Sequence, residues 1–499
     1  MALEFPIIVG AGQITNRSVD AQTAKEPLEL MDLAARRAEA HAGGGALLAK
    51  VDSVQVVNVL SWPSADPPAD LAGRLQARPS ETFYTHIGGN TPQSLVNDTA
   101  ERIARGQVRL ALLVGADAMH GLRVARKSGE ELPWADRGQP APNCGDGRPG
   151  SSELEGRHGA TTPIHFYPLF ENALRAHQGH SIEAHQRHLG ELSAGFASVA
   201  RDNEHAWFRD GKTAEEIATV SPANRMVCFP YTKYMNAMLE VDQGAALLMT
   251  STSTARELGI PEERWVYLLG CGDAVDHWFM TEKTNYYTSP GIRVAGNRAL
   301  RMAGLGIDDV AYLDLYSCFP AAVQLAQDAL GIAPDDVRPL TVTGGLPYFG
   351  GPGSNYTMHS IATMVELLRQ DNERVGLVTG LGWYATKHAV GVYGRRPPSG
   401  AWERTDPALD QAELDRLPRP ELVDAADGPA TVETYTVVYD RDGKPERGIV
   451  IGRLDDGRRF IANTPSDLGL LESMTVEEFV GERGTVRHNA STNTNMFAW

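Results

Sequence analysis

A chain of 499 residues, 42% hydrophobic and 22% charged, reads as a globular protein too long for one ordinary core, so two or three domains are expected. Its formal net charge of −17 argues against a nucleic-acid partner, because phosphate binding needs a surplus of lysine and arginine. The four cysteines (Cys144, Cys228, Cys271 and Cys318) are too scattered for a disulfide framework, and neither a signal segment nor a membrane-length apolar run is present, so a cytoplasmic protein without membrane insertion is expected.

PIIVGAGQIT at residues 6–15 reads as a buried strand, and residues 28–43 have helical spacing at Leu30, Ala34 and Ala38. Further strands are expected over 51–61, 81–89 and 108–117. Strands alternating with helices predict a mostly parallel sheet with helices on both faces. The alternation breaks near Met119. Residues 119–235 are rich in Pro, Gly, His and Arg, with one long helical stretch at 181–203, and read as a loop domain with a covering role. His177, His180, His185 and His188 lie here, but no carboxylate–His motif frames them. A solvated helix face is the preferred account, and no metal is expected.

The α/β pattern resumes with a strand and helix over 242–258, a strand at 265–273 and a helix at 296–306. A strand at 311–319, a helix at 321–331 and a strand at 388–394 follow. After Gly394 a run of proline and charge reads as a linker. The final hundred residues look all-β. Strands at 432–440, 446–454 and 458–464 flank the hairpin signals DRDGKP and LDDG, and a late strand at 481–489 completes a plausible small barrel. From Ala401 to Trp499 there are 19 acidic and 11 basic residues, so the barrel is a poor candidate for nucleic acid.

One supersecondary unit is used twice. Residues 86–117 and 348–382 each run strand, Gly-Gly loop, helix, polar link and buried strand ending in glycine. A glycine loop feeding a helix start can hold an anion on free N–H groups and the helix dipole. Yet neither loop carries an obvious nucleophile or base. Thr91 and Pro92 read as an N-cap and first-turn proline. Together with His86, Thr91 marks the candidate ligand loop.

The doubled unit, the loop domain between halves and the DLYSCF strand end together resemble the thiolase superfamily over about residues 5–395. DLYSCFPAAVQLAQDALGI is similar to the HDCF-type element of the sterol-carrier thiolase branch, and GGLPYFGGPG to its GGAxxxGHPxG element. The acidic tail from Thr431 resembles the OB-like domain appended in the thiolase-like protein type 1 group. This resemblance implies an α/β thiolase fold, with two similar βαβαβαββ halves in a five-layered sandwich, a loop domain and a C-terminal small β-barrel. The halves would span 1–255, including the loop domain at 119–235, and 256–397, with the barrel at 410–499. Thiolases pair through the sheet edge near the third strand, so a monomer or a homodimer is open.

The resemblance also implies where chemistry should sit. Aligned on Gly106, the acyl-accepting cysteine of thiolases falls at Gly89 or Asn90, the GHP histidine at Gly351 and the second cysteine at Gly380. The HDCF histidine becomes Tyr316 and its aspartate Ser317, leaving Cys318 and Phe319. An acyl-enzyme needs an activated thiolate, and glycine supplies neither sulfur nor proton acceptor. The expectation is a relative of acetyl-CoA acetyltransferases that takes CoA or an acyl-CoA as ligand, requires no cofactor and lacks ordinary thiolase activity. One alternative is an acyl-CoA carbon–carbon lyase of retro-aldol type using Tyr316, Tyr348 and Cys318, as in thiolase-fold proteins that work with an OB-fold partner. Another is a structural or protein-interaction role through the barrel.

Overall fold

The structure, a computed structural model, describes residues 4–499. The N-terminal half contributes β1 (Pro6–Thr15), β2 (Ser53–Val56), β3 (Glu81–Tyr84) and β4 (Leu110–Ala118). The short β5 (Met226–Cys228) and β6 (Tyr231–Thr232) follow in the loop region, and then β7 (Asp242–Ser251). The C-terminal half supplies β8 (Val266–Val275), β9 (Tyr312–Asp314), β10 (Val375–Gly382) and β11 (Lys387–Gly394). Nine of these form one sheet in the order β3-β2-β4-β7-β1-β8-β11-β10-β9. Read outward from the β1–β8 contact, each half repeats one order, first strand, last strand, then the strands brought in by helices. No strand in the second half answers to β3.

The sheet is mixed rather than mostly parallel. Only β3–β2, β2–β4 and β10–β9 pair in parallel. In each half the last strand turns back between two earlier ones: β7 lies antiparallel between β1 and β4, and β11 antiparallel between β8 and β10. Helical crossovers deliver parallel neighbours, whereas the tight β10–β11 hairpin must reverse direction.

The strand–helix contacts explain why the halves look alike. Helix α1 (Pro27–His41) lies on β1, with Leu30, Ala34 and Ala38 on its buried stripe. A Cβ at Gly10 or Gly12 would fall 2.2 Å from the carbonyl oxygen of Ala38 or Ala34. The device recurs half a chain later. A Cβ at Gly270 or Gly272 of β8 would fall 2.1 Å from the carbonyl oxygen of Ala299 or Ala295 in α6 (Pro290–Ala303). Glycine on the strand and alanine on the helix let the two backbones touch. Helix α2 (Pro67–Leu75) joins α1 on one outer face, and α7 (Pro320–Leu330) joins α6 on the other. Between the halves lie α3 (Thr91–Ala104) and α8 (Tyr356–Gln370), packed on each other and on strands of both. The two halves of the one sheet therefore lie on either side of α3 and α8, and the layers run helix, half-sheet, helix, half-sheet, helix.

Two further features position the site. Residues 143 and 144 lie along the open edge of β3: Asn143 N–H donates to the Tyr84 carbonyl (2.9 Å), and His86 N–H to that of Cys144 (2.8 Å). The Asn143 side-chain oxygen accepts the Tyr84 N–H (2.9 Å). An edge satisfied in this way is not free to pair with another chain. The second feature is the C-terminal barrel, β12 (Gly428–Tyr439), β13 (Pro445–Leu454), β14 (Arg459–Asn463), β15 (Arg483–Asn489) and β16 (Thr494–Ala498), closed by β12–β13 pairing. It is tied to the loop region, because Val438 pairs with Cys228 and β5 and β6 extend its sheet. Arg459, fully buried, binds Glu433 and the carbonyls of Thr281 and Thr284 in the C-terminal half. The expected linker is also anchored. Trp402 donates to the Leu268 carbonyl (2.7 Å), and Arg404 pairs with Asp273 (2.7 Å) and Asp98 (2.6 Å). Helix α9 (Pro407–Leu414) brings Asp410 to Arg298.

Candidate functional site

The two glycine loops meet at the ends of α3 and α8. Gly88 N–H donates to Ser354 Oγ (3.1 Å), and the Gly89 carbonyl accepts from Thr357 Oγ1 (2.7 Å). Asn90, not Thr91, is the cap of α3, and Thr91 and Pro92 are its first two residues. The Thr91 hydroxyl donates to the Gly88 carbonyl (2.7 Å), so it is committed to the turn. His86 is half-buried, with its ring against Gly147, where a Cβ would come within 2.6 Å of Cε1.

Gly89, Asn90, Gly380 and Tyr316 converge, and the space between them is full. A Cβ at Gly89 would lie 2.1 Å from the Tyr316 hydroxyl oxygen and 2.6 Å from the Leu381 carbonyl oxygen. A Cβ at Gly380 would lie 2.9 Å from Asn90 Cα. Gly351 is set apart: its N–H donates to the Met238 carbonyl (2.8 Å), and a Cβ there would touch Leu239 and Leu346, each at 3.3 Å. What remains beside Tyr316, Thr379, Gly380, Leu381 and His388 is a cavity of about 10 Å³. That volume holds one water.

Burial sets the protonation states. The Cys318 thiol is pushed up to about 12, so at neutral pH it carries its proton. Burial also pushes Tyr316 far above the usual phenol value, with Cys318 and Tyr356 adding to the effect. The ring of Tyr316 meets Tyr356 edge-on at 5.6 Å. Tyr348 is likewise raised by burial, and its hydroxyl has no hydrogen-bond partner among the described residues. Its charged neighbour is Asp210 of the loop region, and the two tyrosines occupy different surroundings. Neither is tuned as a base near neutrality.

Sequence reasoning missed two groups and misplaced a third. Asp314 at the end of β9 accepts from Ser360 (2.7 Å), Thr341 (2.9 Å) and Tyr356 (3.1 Å), tying β9 to α8. Lys387, at the start of β11, donates to the Ile87 carbonyl (2.6 Å) beside the first glycine loop. His185 departs from the expected solvated face. It is 1% exposed, with Nε2 2.7 Å from Glu171 Oε1, because α5 (Ile182–Asp202) turns it onto α4 (Pro163–Gln178). Burial alone would raise Glu171, but hydrogen bonds from His185, Tyr231 and Gln324 outweigh it and hold the carboxyl below its usual value. Among the described residues no group of three or more His, Cys, Asp or Glu is placed to hold a metal ion. No described helix is long and apolar enough to cross a membrane.

Two repeated halves enclosing α3 and α8, with glycine loops meeting between them, define a thiolase-fold protein. Residues 272–395 match the family described as thiolase C-terminal domain-like, and residues 410–491 match the thiolase-like protein type 1 additional C-terminal domain. A monomeric SCP2-thiolase-like protein type 1 from Mycobacterium smegmatis is 36% identical, with a TM-score of 0.86 over 99% of this chain and 98% of that one. The chain belongs to this SCP2-thiolase-like type 1 family. A solved Ltp2-ChsH2(DUF35) aldolase shares the fold at 18% identity and TM-score 0.62, over 78% of this chain and 97% of that one. The 3-ketoacyl-CoA thiolase of Escherichia coli is 27% identical over 180 residues, 35% of this chain and 43% of the relative. The match thus spans less than half the length of that curated relative.

Proposed function

We propose that this protein binds CoA or a CoA thioester and is not acylated by it. The observation that carries the reading is the Tyr316 hydroxyl, which fills the volume a side chain at Gly89 would need. Acyl transfer through that position has neither a sulfur nor room for one. Binding rests on kinship with thiolases and on the segment around Gly147, which packs against His86 beside the first glycine loop. The thioester would lie above the loops rather than in the small cavity behind them. The experiment is a melt of the full chain with CoA and acetyl-CoA, followed by intact-mass analysis after acetoacetyl-CoA. The expected result is a midpoint rising with ligand concentration, as binding to the native state requires, and an unmodified protein mass. An unmoved midpoint removes the ligand reading, and a covalent acyl adduct removes the non-acylating one.

The lyase reading is supported by likeness of fold to an aldolase, but buried, protonated Tyr316 and Tyr348 weigh against it. Covering of the β3 edge supports a monomer, as in the mycobacterial relative. Sedimentation equilibrium is expected to return a single species at the chain mass of 54.1 kDa, and a doubled mass would refute this.

A further inference from the structure

The hairpin joining β10 to β11 is strained and heavily braced. Trp383 (φ +56°) and Ala385 (φ +50°) both occupy the left-handed region, which costs a non-glycine residue about 1–3 kcal/mol and persists only where the surroundings over-determine it. Here they do. The Tyr167 hydroxyl donates to the Trp383 carbonyl (3.0 Å) and accepts from Ala385 N–H (3.3 Å), while buried Lys283 donates to the Ala385 carbonyl (2.8 Å).

The brace holds Lys387 against the first glycine loop. Lys387 is only 5% exposed, and the Ile87 carbonyl is the one hydrogen-bond acceptor its ammonium has among the described residues. Two glycines make room for it. A Cβ at Gly88 would lie 2.8 Å from Lys387 Nζ and 2.6 Å from Asn90 Oδ1, and one at Gly382 would lie 2.3 Å from that same oxygen. Asn90 is 8% exposed, and its Oδ1 has no partner. The Trp383 indole N–H is buried and has none among the described residues either. Its ring centre is 5.5 Å from Nζ. An amine and an unused acceptor thus share one niche, with the ring that carries an unused donor nearby, and unpartnered buried polar atoms call for an explanation.

We propose that Lys387 is a Schiff-base-forming amine for a small ketone, the 3-oxo group of a short 3-oxo acid or thioester. The neutral amine adds its lone pair to the carbonyl carbon, and a proton passes from nitrogen to oxygen to give the carbinolamine. A proton taken from solvent lets that hydroxyl leave as water while the nitrogen pair closes the C=N bond, giving the protonated imine on Lys387. No oxidant or reductant is consumed. The Ile87 carbonyl accepts the N–H bond that orients the lone pair, Asn90 Oδ1 is left to accept from the carbinolamine hydroxyl, and the indole N–H is a donor for the ligand oxygen. Burial brings the amine down to about 8, with Asp146 opposing and Arg148 assisting from the segment over the niche, so a neutral fraction exists near physiological pH. Half-buried His86 is the titratable group on the facing loop. A ligand must displace the segment 145–149, whose exposed Arg148 stacks over Trp278 at 3.7 Å.

The test uses the full-length protein and acetoacetate, with no CoA present, so that its result is separate from CoA binding. Borohydride reduction and peptide mass mapping should place a reduced adduct on Lys387, half-maximal near pH 8. Exposed lysines such as Lys127 should be labelled several-fold more slowly, and Lys387→Arg should abolish the specific adduct. The assignment is read from wild-type peptides, so it does not depend on the variant folding. No adduct at Lys387, or labelling there no faster than at Lys127, overturns the proposal while leaving the CoA melt unaffected.

Discussion

Gly272→Val is expected to leave the full chain unable to fold. The new Cβ would lie 2.1 Å from the Ala295 carbonyl oxygen and 2.9 Å from its carbon, both backbone atoms of α6. No rotamer relieves that contact, so α6 must lift from β8, and β8 is the strand that joins the halves through β1 and β11. Overpacking a core costs about 1–3 kcal/mol when side chains can give way, and more when the backbone must move. Against a total stability of roughly 5–15 kcal/mol, separating a central helix from its sheet exceeds what the fold can absorb. The readout is soluble yield and near-ultraviolet circular dichroism. Gly73→Ala on α2 is the control, since an added Cβ there meets nothing within 4 Å. It should hold or slightly raise the melting midpoint, because alanine is the better helix former. A Gly272→Val protein melting like the wild type would show that the close approach does not exist.

How far the sequence speaks is clearest at this contact. Strand–helix alternation and the terminal hairpins were legible, because each rests on local periodicity or turn chemistry. The doubled unit was legible in its loop, helix and closing strand, but its second copy opens on the helical turn Gly345–Tyr348, not the expected strand. The matching Gly10-x-Gly12 and Gly270-x-Gly272 were also there to read, and facing the Ala34/Ala38 and Ala295/Ala299 pairs they would have marked β1–α1 and β8–α6 as copies. Strand direction was not legible. Apolar runs such as 242–251 announce a buried strand but not which way it runs. The short β5 and β6 are too brief for any period, so the shared sheet of loop region and barrel could not be foreseen. His185 shows the same limit from another side. Its burial follows from which face of α5 meets α4, and charge at neighbouring positions masks that face. Lys387 sits directly after a turn whose conformation disobeys the usual residue preferences, and such sites are where local rules fail.

A cysteine placed at Gly89 is expected to give no thiolysis and to lower stability by about 1–3 kcal/mol. Its Cβ would have to enter the volume held by the Tyr316 hydroxyl, 2.1 Å away, with the Leu381 carbonyl closing the other side at 2.6 Å. Gly89→Cys/Tyr316→His removes the first obstacle and leaves the second, so the loop itself must shift. Even a well-seated thiol would lack partners. Gly380 abuts the Asn90 backbone, Gly351 is walled by Met238 and Leu239, and Cys318 holds its proton up to about 12. Each missing acid or base withholds about 10²–10⁴-fold, and groups that act as a set do not return activity one at a time. Both variants should therefore release acetyl-CoA from acetoacetyl-CoA and CoA at the uncatalysed rate, with no acyl adduct by intact mass. An adduct on the introduced cysteine would mean that this packing yields readily, and that the glycine loops keep a working cavity in reserve.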